Sequence, residues 1–521
     1  MDNKTVVLFT TLSAIAAITS FVIFQSRKRT DGPPVAAGAF PFIGHALEIA
    51  KGPLEFFKNF FADSAVDILE INIVGKRGYL VRGAENARKI FTSAQFNTRY
   101  SPKEASIELG EFHQGILLNT DIESWKYNRK MLVENIARPR FIRSLAPKIN
   151  SYLINIYPLL DQLAETKTPI LANVMFGSMS LDVIVDIVLT SNRHAAESYL
   201  QTCIDGKTRK TDFLLDTVKG VMEALSFFPR TSPLLYKFIP SYFRKAEELR
   251  KFIRDFDKCT SDLLIARQQQ QREANEEAAS EISEDLATGL VLAMNSAENP
   301  MTFNNAVQIL KAAISGGADT SSNTMSFLLY ELARHPEISN EIHAEVAATI
   351  ANSEDGEFNS ENIGKLPFLE ATILEITRLY SEAQALAREV KSDFVLGDSV
   401  LQKDSVVFVW IQGNQVSSEY WENPTVFNPK RFLVSKELGG PLGHGFAYAA
   451  FGHGVRKCPG ETLALMEIKL IMANLCLRYD FELADPNKPL EIKPNLVLEC
   501  GDFNHWDEWC SEKKKKKRAK K

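Results

Sequence analysis

The sequence predicts a mainly α-helical protein with small β-sheets, built as a single large domain after an N-terminal transmembrane helix. Three observations carry that prediction. Helical spacing of apolar residues dominates from about Gly83 to Tyr380. Strand-like alternation is confined to short stretches on either side of that block. Residues 5–24 form an uncharged apolar run. The chain has 521 residues, enough for a sizeable core. Its 45% apolar and 24% charged residues match ordinary globular composition. A disordered chain, a collagen and a many-spanning membrane protein are thereby excluded. No internal repeat of solenoid spacing occurs.

The first element is TVVLFTTLSAIAAITSFVIF at residues 5–24. Twenty residues rising ~1.5 Å each span ~30 Å, the hydrocarbon thickness of a bilayer. Arg27, Lys28 and Arg29 follow directly, which by the positive-inside rule leaves residues 1–4 lumenal and the rest cytosolic. A cleaved signal peptide is the competing reading, with Ala14-Ile15-Ala16 as its site. The apolar run continues past that site, which favours an anchor. Residues 25–41 are a basic and Pro/Gly-rich linker, with Asp31-Gly32-Pro33-Pro34, Gly38 and Pro41 making it stiff and non-helical.

The large domain spans residues 42–510. Two short strands are expected at 68–73 and 78–81, joined at Gly75-Lys76-Arg77-Gly78. Residues 268–284 are polar and read as an exposed helix end and loop. Residues 302–334 read as one long helix with a Gly316-Gly317 break in its middle, ended by His335-Pro336. Strands return at 394–401 and 406–411. Residues 511–521 are a polybasic disordered tail.

That tail distorts the charge balance. Residues 513–521 carry eight positive charges. Without them the chain holds 52 basic and 65 acidic residues, a net of −13, so its body is acidic. A nucleic-acid-binding body is excluded on those grounds. The tail itself cannot fold, because like charges repel and nothing in it can be buried. Six cysteines are scattered without a pairing rhythm, which fits a reducing compartment.

One cysteine stands apart. Cys458 sits in Phe451-Gly452-His453-Gly454-Val455-Arg456-Lys457-Cys458-Pro459-Gly460-Glu461, and an apolar helical run follows at 462–477. A helix N-terminus carries free amide donors and positive partial charge, which favour a thiolate. The glycines let backbone amides approach the sulfur. Such a thiolate can act as a nucleophile, with His453 as base. It can also ligate a metal. Zinc would need further Cys or His at metal spacing, and none is present. A lone thiolate suits an axial ligand to iron that a macrocycle already holds. A buried structural cysteine is the simpler reading for Cys476.

The pattern F-x-x-G-x-R-x-C-x-G in this loop resembles the haem-ligand loop of the cytochromes P450. Three further motifs occur in the family's order, and the resemblance covers roughly residues 38–500. Glu375-Ile376-Thr377-Arg378 resembles ExxR, and upstream of Phe427-Asn428-Pro429-Lys430-Arg431-Phe432 it implies a structural set of Glu375, Arg378 and Arg431. Gly316-Gly317-Ala318-Asp319-Thr320-Ser321 resembles the oxygen-activating stretch, with Asp319 and Thr320 as the proton-relaying acid and alcohol. Trp125-Lys126-Tyr127-Asn128-Arg129 resembles WxxxR. The resemblance implies that Trp125, Arg129, Arg388 and Arg456 hold haem propionates and that Phe451, Gly452 and Gly460 shape the loop around the Cys458 ligand. Two departures concern the substrate side. Residues 379–385 lack the family's prolines, and Asn414-Gln415-Val416 stands where an Arg-Asp pair is common.

The implied fold is a P450-like haem domain, and the implied reaction is monooxygenation of a lipophilic substrate: hydroxylation, epoxidation or multi-step oxidation. The implied cofactors are haem b (iron protoporphyrin IX) and O2, with NADPH-derived electrons. No flavin or nicotinamide segment is present, so the resemblance implies a separate membrane-bound NADPH–cytochrome P450 reductase, with cytochrome b5 a further candidate. Lys126, Lys130 and Lys457 are candidates for the face that meets it. A peroxide isomerase or dehydratase and a non-catalytic haem or lipid-binding protein compete with this reading, and an intact Asp319-Thr320 pair argues against both. Specificity is expected in residues 101–119, 214–243, 312–317 and after Arg378. Phe213, Phe227, Phe228 and Phe238 read as an apolar access path or as core. The chain is similar to fungal microsomal members, which implies an endoplasmic reticulum location and a terpenoid, sterol-like or polyketide substrate in natural-product biosynthesis.

Overall fold

The computed structural model describes residues 32–40, 43–50, 52–61, 66–136, 139–206, 211–273, 285–298, 300–353, 355–433, 445–494 and 497–500. The expected anchor at 5–24, linker residues 25–31 and 41, and the tail at 511–521 lie outside them. The chain divides into two compact units, one of residues 1–100 and 385–410, the other of residues 101–384 and 411–521.

The smaller unit is built on a four-stranded sheet. Its first strands are β1 (Ile68–Ile73) and β2 (Lys76–Val81), an antiparallel hairpin. The hairpin turns at Val74-Gly75, two residues earlier than expected. Both residues have positive φ, 51° and 84°. That geometry matches the right-handed twist of the strands it joins, and the Gly75 N–H donates to Asn72 Oδ1 at 2.8 Å. Strands β3 (Ala385–Glu389), β4 (Phe394–Leu396), β5 (Ser399–Leu401) and β6 (Val406–Trp410) follow much later. The strand expected at 394–401 is a β4–β5 hairpin, bent at Gly397 with φ 58°. The main sheet has the order β1-β2-β6-β3. β2 pairs β6 in parallel and β3 pairs β6 antiparallel. Strands from both sides of the helical block thus enter one sheet, where the sequence pattern implied separate small ones. Leu69, Ile71 and Leu80 point into a core with Phe56, Phe57 and Phe61 of helix α1 (Pro53–Phe61). Trp410 stacks on Phe57 and Phe61 at 5.7 and 5.6 Å. Helix α2 (Ala84–Thr92) closes this unit's list of longer elements.

The larger unit is helical. It contains α3 (Ile122–Ile136), α4 (Pro139–Thr166), α5 (Ala172–Leu189), α6 (Phe213–Arg230), α7 (Pro240–Glu273), α8 (Phe303–Arg334), α9 (Pro336–Ala351), α10 (Pro367–Leu379) and α11 (Glu461–Arg478). A small antiparallel hairpin, β7 (Ile492–Pro494) with β8 (Leu498–Cys500), completes it. The long helix α8 runs through the middle and packs on α5, α6, α7, α10 and α11. Its 32 residues span ~48 Å at ~1.5 Å each. Thr302 Oγ1 caps it by accepting from the Asn305 N–H at 3.1 Å, and Pro336 opens the next helix. The expected Gly316-Gly317 break is absent: α8 is continuous through both residues. Among the described residues α5 alone is long and apolar enough to cross a membrane, and 94% of it is buried inside the unit as core.

Candidate functional site

The cysteine loop is shaped by its backbone. Gly452 and Gly454 both take φ 69°, which disfavours any side chain there. The Cys458 N–H donates to the Phe451 carbonyl at 2.8 Å, and the Gly452 N–H donates to Ala449 O at 2.8 Å. These bonds fold the loop back on itself before α11 starts at Glu461. Gly460 is different. Its φ is −92°, and a Cβ there would meet Cys458 Sγ at an ordinary 3.9 Å. Close approach to the sulfur therefore does not demand a glycine at 460. The Cys458 side chain is exposed. His453 sits 2.9 Å from Tyr448 O through Nε2 and packs on Phe446 at 4.3 Å. Its ring is committed to those neighbours, which weakens the nucleophile-and-base reading. Among the described residues no group of three His, Cys, Asp or Glu could hold a metal ion. Cys476 is buried, and burial pushes its thiol up to about 12, as a core cysteine requires.

Two guanidiniums gather beside this loop. Asp121 Oδ1 accepts from the Glu123 and Ser124 N–H groups and starts α3. One turn on, Trp125 is buried. Arg456 lies over its ring at 3.8 Å and Arg129 at 5.5 Å. Arg456 Nη2 also donates to Asn119 O at 2.9 Å. Burial lowers the pKa of Arg129, and the charge of Cys458 opposes that shift, so the two side chains lie within electrostatic reach. Arg388 belongs to the smaller unit. It is buried on β3, donates to Ala387 O at 3.0 Å and lies over Phe91 at 5.7 Å.

On α8, Thr320 Oγ1 donates to the Gly316 carbonyl at 2.7 Å. Gly316 is exposed within an otherwise buried helix, and a Cβ there would meet nothing within 4 Å. Gly317 is the reverse: a Cβ would fall 2.7 Å from Ile184 of α5. The glycine pair thus admits a neighbouring helix at 317 and leaves open space at 316. Asp319 is buried, and its Oδ2 has no hydrogen-bond partner. Burial pushes its carboxyl up to about 7, with the charge of Glu499 adding and Lys219 opposing.

Glu375, Arg378 and Arg431 meet as expected. Arg378 donates Nε and Nη2 to the two Glu375 oxygens at 2.7 and 2.8 Å. Arg431 Nε and the Asn428 N–H both reach Glu375 Oε1 at 3.0 Å. Arg378 Nη1 binds the Gln415 and Pro424 carbonyls. Gln415, one of the noted departures, donates to the Thr377 and Arg378 carbonyls and accepts from the Ala449 N–H. It serves as a brace between α10 and the start of the cysteine loop. Lys126 and Lys130 are exposed and Lys457 is half-buried, and they pair with Glu123, Glu134 and Glu461. Phe228 is core, whereas Phe213 and Phe238 are exposed.

Two further carboxyls escaped the sequence reading. Glu382, in the loop after α10, has its pKa raised well above the usual range by burial and by Asp319. Glu467 of α11 is buried and pushed up to about 8; the nearby Ser180 and Ser321 hydroxyls offset part of that shift without making hydrogen bonds to it. Glu467 falls nine residues past Cys458 on an apolar helix, a placement that could have flagged it.

A sequence model of the cytochrome P450 family matches residues 33–502. The chain belongs to that family. Rat (Rattus norvegicus) mitochondrial 25-hydroxyvitamin D-1 alpha hydroxylase is 25% identical over 386 residues, 73% of each chain. Cytochrome P450 monooxygenase alnD of Emericella nidulans is 25% identical over 473 residues, 89% of this chain and 82% of its own. Cytochrome P450 71B10 of Arabidopsis thaliana is 24% identical over 492 residues, 92% and 93%. The protein is accordingly a haem monooxygenase, an oxidoreductase that uses O2 with electrons from a redox partner. The residues present fit haem. An exposed thiol, arginines gathered at Trp125 and open space at Gly316 each suit iron already held in a carboxylate-bearing ring.

Proposed function

We propose that Cys458 holds the haem iron and that the bound group is haem b. Haem, when bound, supplies the redox centre at which O2 is activated. The supporting observation is the exposed thiol of the folded-back loop, with Arg129 in its field and Arg456 on the same Trp125 ring. Arg129 and Arg456, with Trp125, would bind the propionate carboxylates; a guanidinium suits them because it presents paired donors. Arg388 remains a further candidate. The Glu375–Arg378–Arg431 set positions the loops that carry the ligand.

Asp319 would hold and return a proton at Oδ2. A carboxyl titrating near 7 is balanced between giving and taking at neutral pH. Thr320 Oγ1 donates its own proton to Gly316 O, so it presents lone pairs to a donor in the open space beside it. This relay favours monooxygenation over peroxide rearrangement. The electrons would come from NADPH through a membrane-bound reductase, with cytochrome b5 as a second donor. Residues 5–24 would anchor the chain once in the endoplasmic reticulum membrane with its catalytic part cytosolic. A substrate drawn from the bilayer follows from that placement, and a terpenoid, sterol-like or polyketide substrate of a natural-product pathway is the class that suits it.

The test is a carbon monoxide difference spectrum of dithionite-reduced protein, wild type beside Cys458→Ala. A thiolate-type Soret shift that the variant loses supports the ligand. The same spectrum from both proteins removes it, and with it the roles given to Asp319 and Thr320.

A further inference from the structure

Around the relay's Asp319 lie further polar atoms, on Asn323, Glu382 and Glu499, that monooxygenation alone does not use. Asp319 and Asn323 sit one turn apart on α8, 4% and 5% exposed. Glu382 is in the loop after α10, and Glu499 is on β8. Three bonds stitch these elements together. The Leu498 N–H donates to Glu382 O at 2.9 Å. The Cys500 N–H donates to Asn323 Oδ1 at 3.3 Å. Thr324 Oγ1 donates to Glu382 Oε1 at 3.4 Å. The Cys500 bond also fixes the orientation of the Asn323 amide.

Within this stitched corner, Asp319 Oδ2, Glu382 Oε2 and Asn323 Nδ2 are each buried with no hydrogen-bond partner. Buried polar atoms are nearly always paired, and these do not pair with one another. Their natural complement is a ligand. Its sign follows from the charges. Glu499 and Asp319 both act on Glu382, and Glu499 acts on Asp319. Among the described residues, Lys219 of α6 is the cation whose charge opposes them at Asp319. Neighbouring carboxyls, of which Asp319 is buried and Glu382 holds a buried oxygen, bind a proton or a cation in preference to remaining jointly ionised.

We propose, resting on the monooxygenase reading above, that the site takes an amphipathic substrate bearing a basic nitrogen, anchored on Glu382 with Asp319 and Glu499 adding negative charge. Glu382 is then a specificity-determining residue. The N–H groups of the cation meet Glu382 Oε2, which leaves Asp319 Oδ2 to exchange its proton, and Asn323 Nδ2, the one donor of the set, meets an oxygen where the same molecule carries one. The apolar remainder of the substrate fills the space at Gly316.

The experiment uses the full-chain, haem-loaded protein and two probes, dodecylguanidinium and dodecylurea. They share chain and planar shape and differ in charge: the urea keeps three of the five N–H groups and puts a neutral carbonyl oxygen in place of the cationic NH2. Delocalisation keeps either nitrogen group from ligating iron. Binding is read by calorimetry and by the Soret shift near neutral pH. Wild type should prefer the guanidinium by at least about tenfold, the scale of one charge-assisted hydrogen bond. Glu382→Gln should bring the two probes to near parity by weakening the guanidinium alone. Glu499→Gln, on a different element, should lower the preference by a smaller factor, and it carries the test if Glu382→Gln does not fold. Equal binding by wild type, or a preference that survives both substitutions, overturns the proposal. A missing thiolate-type carbon monoxide band would instead overturn the parent reading, since calorimetric preference does not depend on that band.

Discussion

Glu375 and Asp319 are both buried carboxyls on helices of the same unit, 0% and 4% exposed. Their surroundings differ completely. Glu375 receives two bonds from Arg378, one from Arg431 and one from the Asn428 N–H. Asp319 Oδ2 receives none. The first carboxyl is a fully satisfied charge that ties together loops distant in sequence. The second is held ready to change protonation. Burial is common to both, so burial alone does not mark a functional group. The number of unmet bonds does.

The sharpest way to break this contrast is to remove each charge in turn. Glu375→Gln leaves Arg378 and Arg431 facing a neutral amide, with the Arg378 guanidinium fully enclosed. Breaking a buried pair from one side costs about 3–5 kcal/mol. Urea unfolding should show that loss, and little haem-bearing protein should accumulate. Asp319→Asn should do the opposite. No bond to Oδ2 is lost, so the urea midpoint should hold or rise. Product formed per electron supplied by a reductase should fall by about 10²–10⁴, the usual contribution of a general acid. A stability loss at Asp319→Asn equal to that at Glu375→Gln would erase the distinction.

Asp319 also predicts a pH dependence. The folded pKa of Asp319 is raised from 3.8 to about 7. Between those values the folded chain binds more protons at this site than the unfolded chain. Its contribution to stability is therefore full below about 4 and is lost as pH rises through 7. Glu382 and Glu467 are shifted upward as well and act in the same direction. Comparing wild type with Asp319→Asn isolates one group. The variant's relative stability should climb from about pH 4 to 7 and level off above. A flat difference across that window would mean that Asp319 is not desolvated.

What the sequence made legible follows the same division. Glu375 and Arg378 are three apart on one helix, and local spacing exposes such a pair. Cys458 announced itself by the glycines around it. Thr320 and Gly316 are one turn apart, so their bond is also local. Glu382 was invisible for the opposite reason. Its environment is made by Asp319 and Glu499, far away in sequence, and by the Leu498 bond that brings β8 to its loop. The parallel pairing of β2 with β6 was hidden likewise, because it joins segments more than 300 residues apart. Strand β3, which carries Arg388, lacked the alternation that marks a half-buried strand, since in ALARE only Leu386 is a large apolar residue.

The smallest predicted effects concern the glycine pair, where neighbouring positions should respond with opposite sign. At Gly317 a new Cβ meets Ile184 Cδ1 and Cγ1 at 2.7 Å, so α5 and α8 must separate or Ile184 must change rotamer. Overpacking of that kind costs about 1–3 kcal/mol. Gly317→Ala combined with Ile184→Val, which removes the offending Cδ1, should recover part of the loss. At Gly316 a new Cβ meets nothing within 4 Å. Alanine is better than glycine in a helix interior by about 1 kcal/mol, so Gly316→Ala should stabilise the fold slightly. It should nonetheless impair function, because the added methyl occupies the open space beside Thr320 Oγ1. Thermal unfolding and turnover measured on the same two variants separate these outcomes. If Gly316→Ala were both more stable and fully active, the space at that turn of α8 would not be where the reaction takes place.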